Sequence, residues 1–206
     1  PEGLELSGQR AISMEFASTY PADEPNALMA HLDGSARTGF DSAQYKGLNI
    51  GATDVQIQVT DGMLNVEPFS TTVNNGQLNF AAQANFNQPT PLLRTPKPLM
   101  LAQGVELNQQ MTSELLQYVN PLFANVTGIS GIASFECQTL AIPLAGGLER
   151  KAEVVGTISA NDVLVEASGL LDKIISATGQ SLRRQRFTLR PTELVLRDGV
   201  VRYDNM

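Results

Sequence analysis

Residues that carry chemistry are nearly missing from this chain. One cysteine, one histidine and no tryptophan stand among its 206 residues. A single cysteine permits no intrachain disulfide and no cysteine-based metal site. Cys137 sits between Glu136 and Gln138 in strand-like sequence, which suits a small packed residue better than a nucleophile. A single histidine excludes a histidine-based zinc site, which takes two or three such ligands. His31 also has no serine or cysteine partner at a catalytic spacing. Positive charge is scarce as well: 14 Lys and Arg stand against 21 Asp and Glu, a net charge of −7. A nucleic-acid surface needs clustered basic residues, so that class of partner is excluded. The nearest cluster, Arg183, Arg184, Arg186 and Arg190, lies beside a turn and reads as a solvated strand edge. No apolar run reaches the roughly 20 residues of a membrane-spanning helix. No signal peptide is present, yet the chain starts at Pro1 without an initiator Met. It therefore reads as part of a longer protein or a processed form, with any membrane anchor or export signal upstream.

Carboxylates are plentiful but placed for structure. Asp54, Asp61, Asp162, Asp172, Glu193 and Asp198 mostly fall at turns or caps, where Asp hydrogen-bonds locally. Asp23 and Glu24 are adjacent in a loop without the alternating spacing of a calcium loop. The glycine-rich spots at 128–131 and 145–147 lack the lysine and the strand-to-helix setting of a phosphate loop. Asn125-Val126-Thr127 matches a glycosylation sequon, a pattern common by chance. No catalytic residue, metal or cofactor is expected.

What the chain does have is alternation. At 42% hydrophobic and 17% charged residues, it can bury a core. Residues 54 to 86 organise it. Val55, Ile57 and Val59 alternate with polar residues, the period of a half-buried strand. Asp61-Gly62 supplies the positive φ angles of a two-residue hairpin turn. Leu64 and Val66 resume the alternation, and Asn75-Gly76 predicts a second such turn. Leu78, Phe80, Ala82, Ala84 and Phe86 then fall on one side of a strand, with Asn79, Ala81, Gln83 and Asn85 on the other. The result is an antiparallel meander with one apolar and one amide-rich face.

Elsewhere the pattern is mixed. Short strands are expected around Leu4–Leu6, Ile12–Phe16 and Leu28–Asp33; from Ser35 to Leu48 the pattern is weak, and Thr38-Gly39, Asp41-Ser42 and Lys46-Gly47 look like loop. Residues 87 to 98 contain four prolines and read as a linker or surface crossing. Asn108 is a good N-cap, and the spacing of Met111, Leu115, Val119 and Leu122 predicts an amphipathic helix over 109–123. A second helix is expected over 169–178, with Leu170, Leu171, Ile174 and Ile175 as its apolar side. Strands are expected at 132–142, at 154–160 and 163–167 around Asn161-Asp162, and in a closing hairpin at Asp198-Gly199. The expected fold is α+β and β-dominated, a twisted antiparallel sheet of meandering hairpins with two short amphipathic helices packed against it. It forms a single β-rich domain over 1–206, and the Pro-rich segment 87–98 is where two sub-units would join.

The apolar face admits two readings. It packs under a helix or second sheet, or part of it is uncovered and holds an apolar ligand. Ala82 and Ala84 between Phe80 and Phe86 make room for either occupant.

Three segments resemble the C-terminal part of AsmA-like proteins, relatives of TamB and of the bridge-like lipid-transfer proteins. They are the meander from Val55 to Phe86, with Asp61-Gly62, Leu64, Val66, Pro68 and Gly76 then Leu78; the stretch Leu107-Asn108, Leu115-Leu116, Asn120-Pro121-Leu122, Gly131-Ile132-Ala133-Ser134 and Ile142-Pro143-Leu144; and Gly156, Ile158, Val163–Ala167, Phe187 and Asp198-Gly199-Val200-Val201. Together they cover about residues 48–206, and their order carries more than any one of them. The resemblance implies a non-catalytic, periplasmic β-rich body of an inner-membrane-anchored protein, with an apolar groove and a part in phospholipid traffic and outer-membrane maintenance. Applied here, it makes Val55, Ile57, Val59, Leu64, Val66, Leu78, Phe80, Ala82, Ala84 and Phe86 the expected groove. The partner would be phospholipid or another apolar ligand, with envelope proteins as further partners, and the membrane would be reached only through the missing anchor. The alternative is a structural or assembly module whose face is fully buried and whose edge strands bind proteins.

Overall fold

The computed structural model describes residues 3–19, 28–116, 126–167 and 186–204. Its strands, in chain order, are β1 (Glu5–Ser7), β2 (Ser13–Ser18), β3 (Leu32–Phe40), β4 (Ser42–Tyr45), β5 (Leu48–Ile50), β6 (Thr53–Thr60), β7 (Met63–Val73) and β8 (Gly76–Asn85). They continue as β9 (Leu92–Arg94), β10 (Leu99–Leu107), β11 (Val126–Pro143), β12 (Glu153–Ala167), β13 (Arg186–Arg197) and β14 (Val200–Asp204). All fourteen belong to one sheet, and every pairing is antiparallel.

The topology is simpler than the strand count suggests. β1 and β2 both line the strand pair β3 and β4, which in turn lines β5 and β6. β5 and β6 both pair with β7, and β9 and β10 both lie between β8 and β11. Four pairs of strands therefore share a position each, and the sheet is a meander of ten positions in strict chain order. Short connections give each strand its sequence neighbour as partner. The sheet runs unbroken past the Pro-rich segment, since β8 pairs directly with β10.

Local chemistry explains the turns. Asp61-Gly62 and Asp198-Gly199 have positive φ at both residues (47° and 70°, 50° and 73°), the geometry of a type I′ hairpin. Lys46-Gly47 does the same at 48° and 82°. The turn after β7 differs from expectation by one residue. Asn74 and Asn75 hold the positive φ angles, 42° and 62°, and Gly76 is already the first residue of β8. Gly76 answers a different need: a Cβ there would stand 2.6 Å from the backbone of Gln103 and Gly104 on β10. The residue pair read as a turn is half turn and half close approach.

Three further expectations are corrected. Lys46-Gly47 is a turn as expected, but Thr38-Gly39 lies within β3 and Asp41-Ser42 only bends the passage from β3 into β4, so residues 35 to 48 are mostly strand. Their polar and small residues hid the period. Asn161-Asp162 is not a turn: β12 passes straight through it, and Asp162 at φ 53° forms a bulge opposite Gly131. Such bulges bend and twist a strand without ending it. The pair of amphipathic helices is not found. Among the described residues one short α-helix exists, α1 (Gln109–Met111), prolonged by a π-helical turn at Thr112–Leu116, besides a single 3-10 turn at Glu149–Lys151. Asn108 caps it as expected, its Oδ1 accepting from the Met111 N–H at 2.9 Å. The helix packs on β11, not across the meander. Residues 117–125 and the expected helix over 169–178 lie outside the described residues.

Two clamps fix the sheet. On its polar side Arg10, between β1 and β2, donates to Asp41 and Asp54 at 2.8 Å each, and these pairs join three positions. Gly39 leaves room for it, its absent Cβ lying 3.1 Å from Arg10 Cδ. At one end, Asn74 ties the hairpin tips together. Its Nδ2 donates to the Gly47 and Glu106 carbonyls at 2.9 and 3.2 Å, and its Oδ1 accepts from the Asn49 N–H at 2.8 Å.

Candidate functional site

Directly opposed residues of an antiparallel ladder point to the same face. The register therefore gives the face row by row. Met14, Ala36, Ile57, Val66 and Ala82 are opposed across five positions, as are Phe16, Gly34, Val59, Leu64 and Ala84. The period of two along β8 puts Leu78 on that face. From it a third row runs through Ala102, Phe135 and Ile158 to Thr192. Leu99, Cys137, Gly156, Leu194 and Tyr203 make a fourth, and Leu140, Val154, Leu196 and Val201 a fifth. No residue of these rows carries a charge. At about 4.8 Å per strand the uncharged face extends roughly 43 Å across the meander.

The opposite face is what the amide alternation predicts. Gln58, Asn65 and Gln83 are opposed on it. Asn65 Nδ2 donates to Glu67 at 2.8 Å, Gln83 Nε2 to Asn65 Oδ1 at 3.3 Å, and Ser70 Oγ to Asn79 Oδ1 at 2.6 Å. Polar side chains that bond to one another in this way suit a solvated face.

The ten expected groove residues all belong to the meander. The register brings nine of them to the uncharged face, and Phe86 follows β8 with its N–H bonded to the Gly62 carbonyl. Val59, Val66, Ala82 and Ala84 are buried; Val55, Ile57, Leu64, Leu78, Phe80 and Phe86 are half-buried. Phe80 packs on Phe69, ring centroids 5.9 Å apart and tilted by 54°. Exposure rises along the rows toward the first position: Ala82 is 0% exposed and Val66 9%, but Met14 is 67% and Phe16 47%. Among the described residues all strands share this one sheet. Reasoning from the sequence stopped at Val55 and missed Met14, Phe16 and Ala36. Their alternation was visible, but only the register joins them to the meander.

Two surface hollows lie elsewhere. One of about 400 Å³ is lined by Asp54, Gln56, Gln58, Glu67, Pro68 and Phe69, mostly on the polar face. Another of about 640 Å³ lies at the end of the sheet near Asn49, Asn74 and Asn108. An extended uncharged face is not a closed cavity, so it is not a hollow of this kind.

Among the described residues no three metal-ligating side chains come together. His31 is in an exposed turn before β3. Cys137 is fully buried on the uncharged face, where burial pushes its thiol pKa up, offset in part by a hydrogen bond from the Thr139 backbone. Burial and a raised pKa both suppress thiolate chemistry. Cys137 is therefore expected to resist a thiol reagent at neutral pH in the folded protein and to react at once in denaturant, a difference that a colorimetric thiol assay reads directly.

Comparison with protein-family models, with curated proteins and with solved structures finds no match. The functional reading rests on the face itself.

Proposed function

We propose that this chain is a non-catalytic envelope domain that holds a phospholipid or another apolar ligand against the uncharged face of its sheet. The observation that carries it is the set of five uncharged rows, only partly shielded and most exposed at the first position. A fully packed face has no reason to leave six of the ten residues half-buried, and a solvated one would carry charges. An acyl chain satisfies such a face without a hydrogen-bonding partner. The setting, as the periplasmic part of an inner-membrane-anchored protein of the AsmA-like kind, is part of the same proposal. It draws on the order of hairpins along the chain.

The protein recovered from cells should carry phospholipid detectable by mass spectrometry after organic extraction. Phe80→Glu places a charge on a half-buried part of the face. It is expected to lose the bound lipid almost completely while its circular dichroism stays that of the parent. Lipid-free parent protein would defeat the proposal. So would a Phe80→Glu chain that no longer folds, because Phe80 would then be core. The second reading, a structural module working through its edges, is favoured by one observation, the apolar side chains exposed on β2.

A further inference from the structure

We infer that the opening between β6 and β7, on the polar face, binds a neutral sugar residue through its ring hydroxyls. The two strands pair only from Thr60↔Met63 to Ile57↔Val66. Beyond that β6 runs on to Thr53 beside β3, and β7 runs on to Val73 beside β8, with no register between them. The parting begins at the bulge after Val66, which contains Pro68, a residue without an N–H. It is closed again at the far end. The Gly51 N–H donates to the Thr72 carbonyl at 2.9 Å, and Thr71 Oγ1 lies 3.2 Å from the Gly51 and Ala52 carbonyls. The hollow of about 400 Å³ lies in this gap, within the ~300–1,000 Å³ of small-molecule sites.

Unused hydrogen-bonding groups converge on it. Thr60 and Met63 close a two-residue hairpin, so even-numbered residues of β6 turn their backbone N–H and C=O toward β7. Gln56 and Asp54 are opposed there to no residue of β7. Gln56 and Gln58 are exposed, and their side-chain amides have no hydrogen-bond partner among the described residues. Asn65 and Gln83 nearby are engaged with Glu67 and with each other.

The lining selects the guest. No Lys or Arg is in it, which disfavours an anion. Its carboxylates are already engaged, Asp54 by Arg10 and Glu67 by Asn65, each at 2.8 Å, which disfavours a cation. An apolar guest would leave the amides unsatisfied. An inserted strand would have only Thr53–Gln56 to pair with, about 14 Å. A free amide offers both donors and an acceptor, and a hydroxyl is the ligand group that answers both. A sugar carries several hydroxyls on one stiff ring, so little freedom is lost on binding. Exposed Pro68 offers an apolar rim for the ring's C–H face. The site lies away from the uncharged face, so it stands or falls separately from the lipid reading.

The test is a titration of the ¹⁵N-labelled chain with maltose and with N,N′-diacetylchitobiose, followed by NMR to about 50 mM, well above the ~1 mM scale of weak binding. At least one of the two should give saturable shifts at the Asp54 and Gln56 backbone amides and the Gln56 and Gln58 side-chain amides. The double variant Gln56→Ala, Gln58→Ala should weaken that binding at least tenfold. Gln77→Ala, an exposed amide outside the opening, should leave it unchanged. All three substitutions fall on exposed side chains, and circular dichroism checks that the fold is kept. The inference is overturned if neither sugar saturates, if the shifts fall elsewhere, or if the double variant binds as the parent does. Glycerol binding as tightly as the sugars, or spermidine binding in their place, overturns it too.

Discussion

Ala82→Asp is expected to abolish the fold, whereas Gln83→Asp, one residue further on, is expected to leave it almost untouched. Ala82 is fully buried at the centre of an uncharged row, opposite Val66. A carboxylate there has no cation within its row and no water. An uncompensated buried charge costs on the order of 3–5 kcal/mol, a large share of the stability of an ordinary domain. Gln83 faces the other way. It is exposed, its one side-chain bond to Asn65 is long at 3.3 Å, and its ladder partner on β9 is Arg94. An aspartate opposite an arginine is favoured or neutral, so the change should stay within about 0.5 kcal/mol. Thermal melts followed by circular dichroism decide it. Equal tolerance at the two positions would mean that the faces are not separated as the register requires.

Asn74→Ala is expected to lower the melting temperature by roughly 6–12 °C, corresponding to about 3 kcal/mol in a domain of this size. Two effects add. Besides a weak bond to Met111 Sδ, the side chain makes three hydrogen bonds that join the Lys46-Gly47 tip, β5 and the end of β10. The bond to Gly47 is partly shielded from water and the other two are exposed, so together they contribute about 2 kcal/mol, and the backbone supplies the remaining ~1 kcal/mol. The backbone at φ 42° is also left-handed, which Asn tolerates better than Ala. Asn74→Gly separates the two effects, since it relieves the backbone and still loses the bonds. It should fall between parent and Asn74→Ala. An Asn74→Gly chain as stable as the parent would show that the clamp contributes nothing and that only the turn geometry matters.

Residues 54 to 86 were legible because their determinants are local. A strand that alternates Val55, Ile57 and Val59 with polar residues declares its face by itself, and Asp61-Gly62 declares its turn. Residues 32 to 50 were not. Gly34, Ala36 and Thr38 are too small or too polar to signal a strand, yet they complete rows whose bulk comes from Phe16, Val59 and Ile57 on either side. Asn161-Asp162 looked like a turn because Asp162 does take a positive φ, but pairing with β11 on one side and β13 on the other carries β12 through it. Asn74-Asn75-Gly76 holds two turn-like pairs, and only the approach of β10 to Gly76 selects between them.

By itself the sequence determined which side of each regular strand is apolar, where its Asp-Gly hairpins turn, and that chemistry built on cysteine or histidine clusters is absent. These follow from a period of two and from positive φ angles, properties that neighbouring residues settle among themselves. Only the tertiary structure decided that the strands form one meander of ten positions, that the uncharged rows continue across all of it, and that they are most open at β2. Burial is set by strands far away in the chain. Met14 and Ala82 belong to one row, yet they differ from largely exposed to fully buried because one lies at an edge and the other has partners on both sides.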